Sequence, residues 1–307
     1  MSQGDERRGP ACEPRGGSEA RRHAQVLAGR WLLDHPGPDR EPLAIDASVA
    51  HPARINDYML GGADHFAVDR EAAERGAAAL PGGMERARTM MRSQRAFLAV
   101  TVRRLAGEMA VREFLDVGTG IPNGDDVHAV AQETAPESRV VYVDNDPIVL
   151  AHAHTLLRTT PQGATAYVHG DLRDPDSILA AAGATLDFTR PVAVILVGIL
   201  HLIRDADDPY GIVARLLDAV PSGSYVALTH LASDLETELV EAIGRVNETM
   251  SDPFMLRTRA EVARFLDGLD VLEPGIVTLD RWPWSLPLAP GLDGQTVAAY
   301  CAVGRKR

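Results

Sequence analysis

Three acidic residues stand where predicted β-strands end, and one of them precedes a pair of glycines. Asp116 comes before Gly118 and Gly120 after the first strand, Asp144 closes the second strand, and Asp171 follows the third. Glycines at a strand-to-helix turn let the backbone approach a ligand closely, and the start of the helix offers free N–H groups. Three carboxylates at one edge repel a pyrophosphate and attract a cation. The pattern therefore predicts a site for a positively charged sulfonium nucleoside.

Two other ligands fit the same residues less well. A dinucleotide fingerprint of the Gly-x-Gly-x-x-Gly type needs a third glycine where the chain has Asn123, which weakens the hypothesis of a nicotinamide-dependent oxidoreductase. Asp144, Asn145 and Asp146 resemble the Asp-x-Asp of a metal and sugar-nucleotide site. However, the strand position explains Asp144, and Pro147 explains Asp146 as a helix-starting residue. We expect no metal ion, because no ligand spacing of the His-Glu-x-x-His kind occurs.

Two histidines follow predicted strands at the same edge of the sheet. His201 comes after the most apolar strand of the chain, where it could take a proton from a substrate hydroxyl or amine. His230, after the fifth strand, is a weaker candidate for the same role. The alternative for His201 is a hydrogen-bonded structural histidine that caps the strand, and both interpretations stay open at this point.

A polar segment surrounds the double glycine at 61–62. It contains Asn56, Asp57, Tyr58, Asp64 and His65. One interpretation is a loop folded over the pocket, in which Tyr58 stacks and Asp57 or Asp64 binds substrate or cofactor. In the other, the glycines end a helix and the polar side chains cap its neighbours.

The elements that must position these residues are predicted from hydrophobic spacing. Residues 48–110 show helical spacing in three pieces, and short β-branched runs then alternate with amphipathic stretches. Five such runs with helices between them indicate a parallel, doubly wound sheet. Two late runs, Gly275–Leu279 and Thr296–Val303, have no helix between them, which is typical of an antiparallel hairpin. The predicted fold is a mostly parallel seven-stranded α/β sheet with a terminal hairpin and an N-terminal helical extension.

Composition limits the partners of the chain. The 307 residues carry a net charge of -12, and an acidic surface repels phosphate backbones, so we expect no nucleic-acid partner. The 2 cysteines cannot build a disulfide framework, and no signal peptide or membrane span is recognisable, so we predict a cytoplasmic protein without a membrane partner. We divide the chain into a mostly disordered tail (1–43), a helical lid or extension (44–110) and a Rossmann-like domain (111–307).

Long motifs link the chain to a known family over roughly residues 48 to 304. They are Ala53–Phe66, Phe114–Pro122, Val141–Pro147, Gly170–Pro175, Arg190–Val194 and Leu200–His201. In these motifs the sequence resembles the S-adenosylmethionine-dependent methyltransferase-like proteins of high-GC bacteria, long described as a domain of unknown function. The resemblance implies a Rossmann-like class I methyltransferase fold and S-adenosylmethionine as cofactor.

The resemblance also implies a role for each matching residue. Asp116, Gly118 and Gly120 would face the methionine part of the cofactor. The ribose would lie against Asp144, and the adenine against Asp171 and Leu172. Asn145, next to Asp144, is also expected to bind the cofactor.

The resulting hypothesis is a methyltransferase that acts on an oxygen or nitrogen of a small-molecule substrate. The chain lacks the Asn/Asp-Pro-Pro-Tyr/Phe run that amino-directed DNA methyltransferases place after the fourth strand, and has Val197–His201 there instead. The alternative is a non-catalytic module that binds S-adenosylmethionine or S-adenosylhomocysteine and regulates a partner.

Overall fold

The computed structural model describes residues 45–122, 124–149, 159–248, 253–283 and 297–307. The predicted tail at 1–43 lies outside the described residues. So does most of the helix predicted after the second strand, of which residues 147–149 are described as helical.

Among the described residues, the helices follow the predicted pattern, with three before the first strand. Their bounds are α1 Pro52–Leu60, α2 Ala67–Ala79, α3 Gly83–Gly107, α4 Val127–Thr134, α5 Pro175–Ala182, α6 Pro209–Asp218, α7 Thr237–Asn247 and α8 Arg259–Ala263.

The strands form one mostly parallel sheet. Their bounds are β1 Glu113–Val117, β2 Arg139–Asp144, β3 Ala164–His169, β4 Val192–Leu196, β5 Tyr225–Leu231, β6 Leu269–Val271, β7 Val277–Thr278 and β8 Ala299–Lys306. The order across the sheet is β3-β2-β1-β4-β5-β8-β6, and β7 also pairs with β8. Strand β8 runs antiparallel to β5, β6 and β7. The prediction of a doubly wound, mostly parallel sheet that ends in an antiparallel pair is therefore confirmed.

Within the described ranges the sheet has 8 strands rather than the predicted seven, because its edge strand is interrupted. Val271 of β6 lies opposite Gly304, and Val277 of β7 lies opposite Cys301, so both short strands pair with β8. Together β6 and β7 occupy the place of one strand. The β6 segment has three residues, two of them exposed, which is too short for a hydrophobic period to show in the sequence.

The sheet is buried on both faces, since alternate strand residues enter two different cores. Phe114, Tyr142 and Ile195 pack with α3, α4 and α7 on one side. Leu115 and Val194 pack with α5, α6 and α8 on the other. Because α3 contributes Phe97, Val102 and Leu105 to the first core, the long helix is an integral layer of the sheet domain. The division of the chain at residue 110 stays a prediction.

Candidate functional site

The glycine turn after β1 lies over the end of β2. Gly118 and Gly120 have φ angles of +76° and +68°, which favour glycine. The Gly118 N–H donates to the carbonyl of Val143 at 2.8 Å. A Cβ at Gly118 would lie 2.8 Å from the Ile199 side chain, whereas one at Gly120 would meet nothing within 4 Å. The space beside the Gly120 backbone is thus open, and a role for Gly120 in binding the cofactor stays a prediction.

Asp144 fixes this turn from the neighbouring strand. Its carboxylate accepts the N–H of Gly120 at 2.9 Å and the N–H of Asp146 at 3.0 Å. Burial raises the pKa of Asp144, and these two backbone hydrogen bonds oppose the rise. Each carboxylate oxygen has a second lone pair, so the side chain can still accept from ribose hydroxyls.

Asp116 is a buried acid at the same edge, and its pKa is raised. Burial raises its pKa to about 7, the charge of Arg95 and a hydrogen bond from Thr119 lower it, and the nearby Asp126 and Asp144 raise it. Burial makes the ionised form of this carboxyl group unfavourable in the ligand-free protein. A cation bound beside it would therefore stabilise the carboxylate strongly. This environment fits a ligand ammonium or sulfonium group.

The residues predicted for adenine lie beside the end of β3. The Asp171 carboxylate pairs with Arg173 at 3.1 Å and is 3.4 Å from the amide nitrogen of Asn145. The Leu172 side chain is buried in the second core, so only its backbone is available to a ligand. The Arg173 guanidinium also pairs with Asp207, which ties this loop to the turn after β4.

A cleft of about 590 Å³, measured with its open mouth, lies between the glycine turn and the N-terminal helices. Its polar lining comes from Asn56, Asp57, Gln94, Arg95, Asp116 and the glycine turn at 118–120, and its apolar lining from Ala53, Leu60, Met91, Leu98, Ile121 and Val197. The structure thus brings five of the predicted site residues together here: Asn56, Asp57, Asp116, Gly118 and Gly120. The other predicted residues are not among those that line it.

Asp57 organises the polar segment at the cleft wall. Its carboxylate accepts the N–H of Asp64 at 2.8 Å and contacts Nδ1 of His65 at 2.9 Å. Tyr58 turns toward helix α2, where its hydroxyl donates to Glu74 at 2.8 Å. The segment therefore combines both sequence interpretations, because it ends helix α1 and also borders the pocket.

Gly62 offers a test of this wall. A Cβ at Gly62 would lie 1.9 Å from a carboxylate oxygen of Asp57, so Gly62→Ala must displace that side chain. We expect a loss of about 1–3 kcal/mol in the free energy of unfolding by urea. Gly76→Ala on helix α2 is the matched control, since nothing lies within 4 Å of its added Cβ. A stable Gly62→Ala protein would show that Asp57 is free to move.

His201 lies in the turn Leu200–Leu202 and is buried against Phe254, with ring centroids 5.6 Å apart. Burial lowers its pKa to about 3, as do the neighbouring His230 and Arg257. The imidazole is therefore neutral and weakly basic. A role for His201 as general base stays a prediction, and its low basicity and its position outside the cleft lining disfavour it.

His230 has both ring nitrogens engaged. Nδ1 donates to the carbonyl of Leu231 at 2.9 Å, and Nε2 accepts from Arg257 at 2.6 Å. Burial lowers its pKa to about 4. The buried Arg257 also donates to the carbonyls of Leu200 and Ile203, so His230 and Arg257 support the turn that follows β4.

Two cleft residues were not predicted as ligands, namely Gln94 and Arg95. Met91, Gln94, Arg95 and Leu98 have the spacing of one helix face, and all line the cleft. Polar residues within an otherwise apolar stripe are the signal that could have identified them. Arg95 pairs with Asp126 at 3.1 Å.

Two kinds of feature are absent from the described residues, namely a cluster of metal ligands and a membrane-spanning helix. Within these ranges, no group of three or more His, Cys, Asp or Glu side chains is arranged to hold a metal ion. None of the helices in the same ranges has the length and apolar character needed to cross a membrane.

Comparison with known proteins gives a consistent result. The profile of a family described as S-adenosyl methyltransferase matches residues 38–307. A crystal structure of a DUF574 family protein from Streptomyces avermitilis MA-4680 is 44% identical, with a TM-score of 0.80 over 86% of this chain and 100% of that chain. A protein from Thermobifida fusca YX, described as a candidate methyltransferase, is 34% identical, with a TM-score of 0.76 over 87% of this chain and 98% of that chain. None of the curated proteins matches the chain.

Proposed function

Since the chain belongs to the S-adenosyl methyltransferase family, we propose that it methylates an oxygen or nitrogen atom of a small molecule. It is an S-adenosylmethionine-dependent methyltransferase with a class I fold, and S-adenosylmethionine is its cofactor. The observation that supports a small-molecule acceptor is the cleft beside the glycine turn, where we place the acceptor next to the methionine end of the cofactor. The acidic chain, with a net charge of -12, also disfavours a nucleic-acid substrate.

The residues at the glycine turn fit the methionine end of this cofactor. Asp116 would accept from the ammonium group, Arg95 would donate to the carboxylate, and Gly118 and Gly120 let the backbone approach. When bound, S-adenosylmethionine supplies a methyl group on a positively charged sulfur. The contribution of the protein is to hold the acceptor in line with that methyl group and to exclude water.

The rest of the cofactor would lie toward β2 and β3. Asp144 and Asn145 would hold the ribose, and Asp171 with the backbone of Leu172 the adenine. Support comes from their position at the carboxyl ends of adjacent parallel strands.

Calorimetric titration with S-adenosylmethionine, S-adenosylhomocysteine and NAD tests the proposal. We expect binding of the first two ligands but not of NAD. Asp144→Ala should weaken binding by roughly 1–3 kcal/mol, because it removes a charged hydrogen-bond acceptor. Asp144→Asn keeps one oxygen that can accept the Gly120 N–H, so the glycine turn should stay in place. A loss of affinity in this variant can then be assigned to the ribose contact and not to a displaced turn. If neither sulfur-containing ligand binds the unmodified protein, the proposal is wrong.

Arg95→Gln is expected to weaken S-adenosylmethionine binding about 10- to 100-fold, because it removes the cation proposed for the carboxylate. The affinity for 5′-methylthioadenosine, which lacks the amino acid part, should not change. Arg92→Gln is the control, since Arg92 lies on the same helix and pairs with Glu85 outside the cleft. Equal loss of both ligands would instead assign Arg95 a structural role.

A further inference from the structure

Gln94 is a buried side chain whose amide oxygen points at Thr229. It is 6% exposed and lines the cleft. The Thr229 hydroxyl accepts the N–H of Gly198 at 2.8 Å and donates to Oε1 of Gln94 at 3.3 Å. The oxygen of the amide is therefore engaged by the protein, and Nε2 is the end left for a ligand.

Gly198 shows that this arrangement is built into the fold. It follows β4 with a φ of +76°, and a Cβ there would lie 2.8 Å from Oε1 of Gln94. Only glycine lets the helix α3 side chain reach Thr229 across the end of β4. Among the described residues, the hydrogen bond of the Gln94 side chain is made by Oε1, and Nε2 is not one of their buried atoms without a partner, so it faces the cleft and can donate to a ligand there.

We propose that Gln94 binds the atom that receives the methyl group and that this atom is a hydroxyl oxygen. This inference rests on the proposed function and specifies its acceptor. An amine nitrogen has one lone pair, which the transfer itself uses, so a donor directed at it would block the reaction. A hydroxyl oxygen has two lone pairs, so it can accept from Nε2 with one and bind the methyl carbon with the other.

The remaining cleft residues complete the site. In the transfer, the sulfur–carbon bond breaks with its electron pair left on sulfur, and the oxygen–carbon bond forms. The hydroxyl proton passes to the carboxylate of Asp57, which lines the same cleft. Leu60, Met91 and Val197 give the rest of the cleft an apolar surface, which suits an aromatic ring or another apolar body. The acceptor class is thus a phenol or an apolar alcohol.

Matched probes that differ in one atom test the inference. Phenol and aniline, and 1-naphthol and 1-naphthylamine, are titrated by ligand-observed NMR into protein saturated with S-adenosylhomocysteine. We expect each hydroxyl probe to bind about tenfold more tightly than its amine. Gln94→Met should abolish this preference by weakening only the hydroxyl probes. Thr229→Val, which removes the group that orients the amide, should reduce it.

Met91→Leu is the control on the same helix face, and it should change both members of a pair equally. Thermal unfolding and S-adenosylhomocysteine affinity establish that each variant is folded. Equal binding of hydroxyl and amine, tighter binding of the amine, no binding of either, or an unchanged preference in Gln94→Met would each overturn the inference. If the unmodified protein does not bind S-adenosylhomocysteine at all, the proposed function itself is wrong.

Discussion

Asp116→Asn is expected to weaken S-adenosylmethionine binding by at least about 100-fold and to make the ligand-free protein more stable. The affinity falls because the carboxylate proposed for the ammonium group becomes a neutral amide. The stability rises because the buried carboxyl group has a pKa of about 7 in the fold against an ordinary value of 3.8. We expect a gain of about 2–4 kcal/mol at pH 8, since a one-unit difference in pKa corresponds to about 1.4 kcal/mol.

The dependence on pH follows from the direction of this shift. Because the folded pKa is the higher one, the folded protein holds the proton more tightly than the unfolded chain. The cost of ionising Asp116 is absent below the unfolded value of 3.8, grows as the pH rises, and is complete above about 7. In urea unfolding, the stability gain of Asp116→Asn should therefore be about half as large at pH 5.5 as at pH 8.

The affinity for S-adenosylmethionine should rise with pH, whereas the stability of the ligand-free protein falls. Below pH 7, S-adenosylmethionine must displace a proton from Asp116, so the affinity of the unmodified protein should fall up to tenfold for each pH unit. The Asp116→Asn protein should lose this dependence, and 5′-methylthioadenosine should bind both proteins equally.

Asp125→Asn is the charge-matched control, because Asp125 is exposed near the same turn. Unchanged S-adenosylmethionine affinity in Asp116→Asn, with the same pH profile as the unmodified protein, would contradict the assignment of the ammonium group.

The parts of the fold that can be predicted from the sequence are those in which hydrophobic residues form a regular local pattern. Strands β1 to β5 show as β-branched runs that enter two cores, and the acids at their ends therefore fall at one edge. Asp116, Asp144 and Asp171 could be placed on this basis. Strand β6 could not, because its length and exposure give no period. The order of the strands depends on packing between distant segments, which spacing in one sequence does not record.

The acceptor side of the site could be predicted less well. Gln94 and Arg95 stand well before the glycine turn in sequence, and only the packing of α3 on the sheet brings them into the cleft. His201 was expected at the open edge because it follows β4. Instead, the carbonyl of His201 accepts the N–H of Met255 at 2.7 Å, so the turn at 200–202 is covered by the segment that precedes α8. A strand end locates a residue along the chain but does not decide which way the following turn folds.

The N-terminal helices are joined to the second strand by a buried ion network centred on Arg54. Nε of Arg54 lies 3.1 Å from Asp146 and 3.7 Å from Asp69. The guanidinium also donates to the carbonyls of Asp46 and Val49 and lies 5.2 Å from the ring centroid of Phe66. Asp69 is fully buried and Asp146 is 2% exposed. Asp146 also lies 3.1 Å from Nδ1 of His51, and Arg54 is the cation that the two carboxylates share.

The Asp69 carboxylate has further partners in the same segment. It accepts the N–H groups of His51 at 2.9 Å and Phe66 at 2.8 Å, which fixes the chain before α1 and before α2. Asp146, in turn, donates its own N–H to Asp144. The network therefore connects the wall of the cleft with the acid proposed for the ribose.

Arg54→Ala is expected to lower the free energy of unfolding by about 3–5 kcal/mol, because it leaves two buried carboxylates without their cation. Urea unfolding measures this loss, and Arg75→Ala, which removes an exposed arginine paired with Glu71, should change stability by less than about 0.5 kcal/mol. Asp146→Asn in the Arg54→Ala background should recover part of the loss, since it removes one uncompensated charge. A cost below about 1 kcal/mol for Arg54→Ala would show that water or protons reach these carboxylates. The ion pairs of Arg54 would then contribute little to the position of the helical wall, and the coupling inferred between that wall and Asp144 would be wrong.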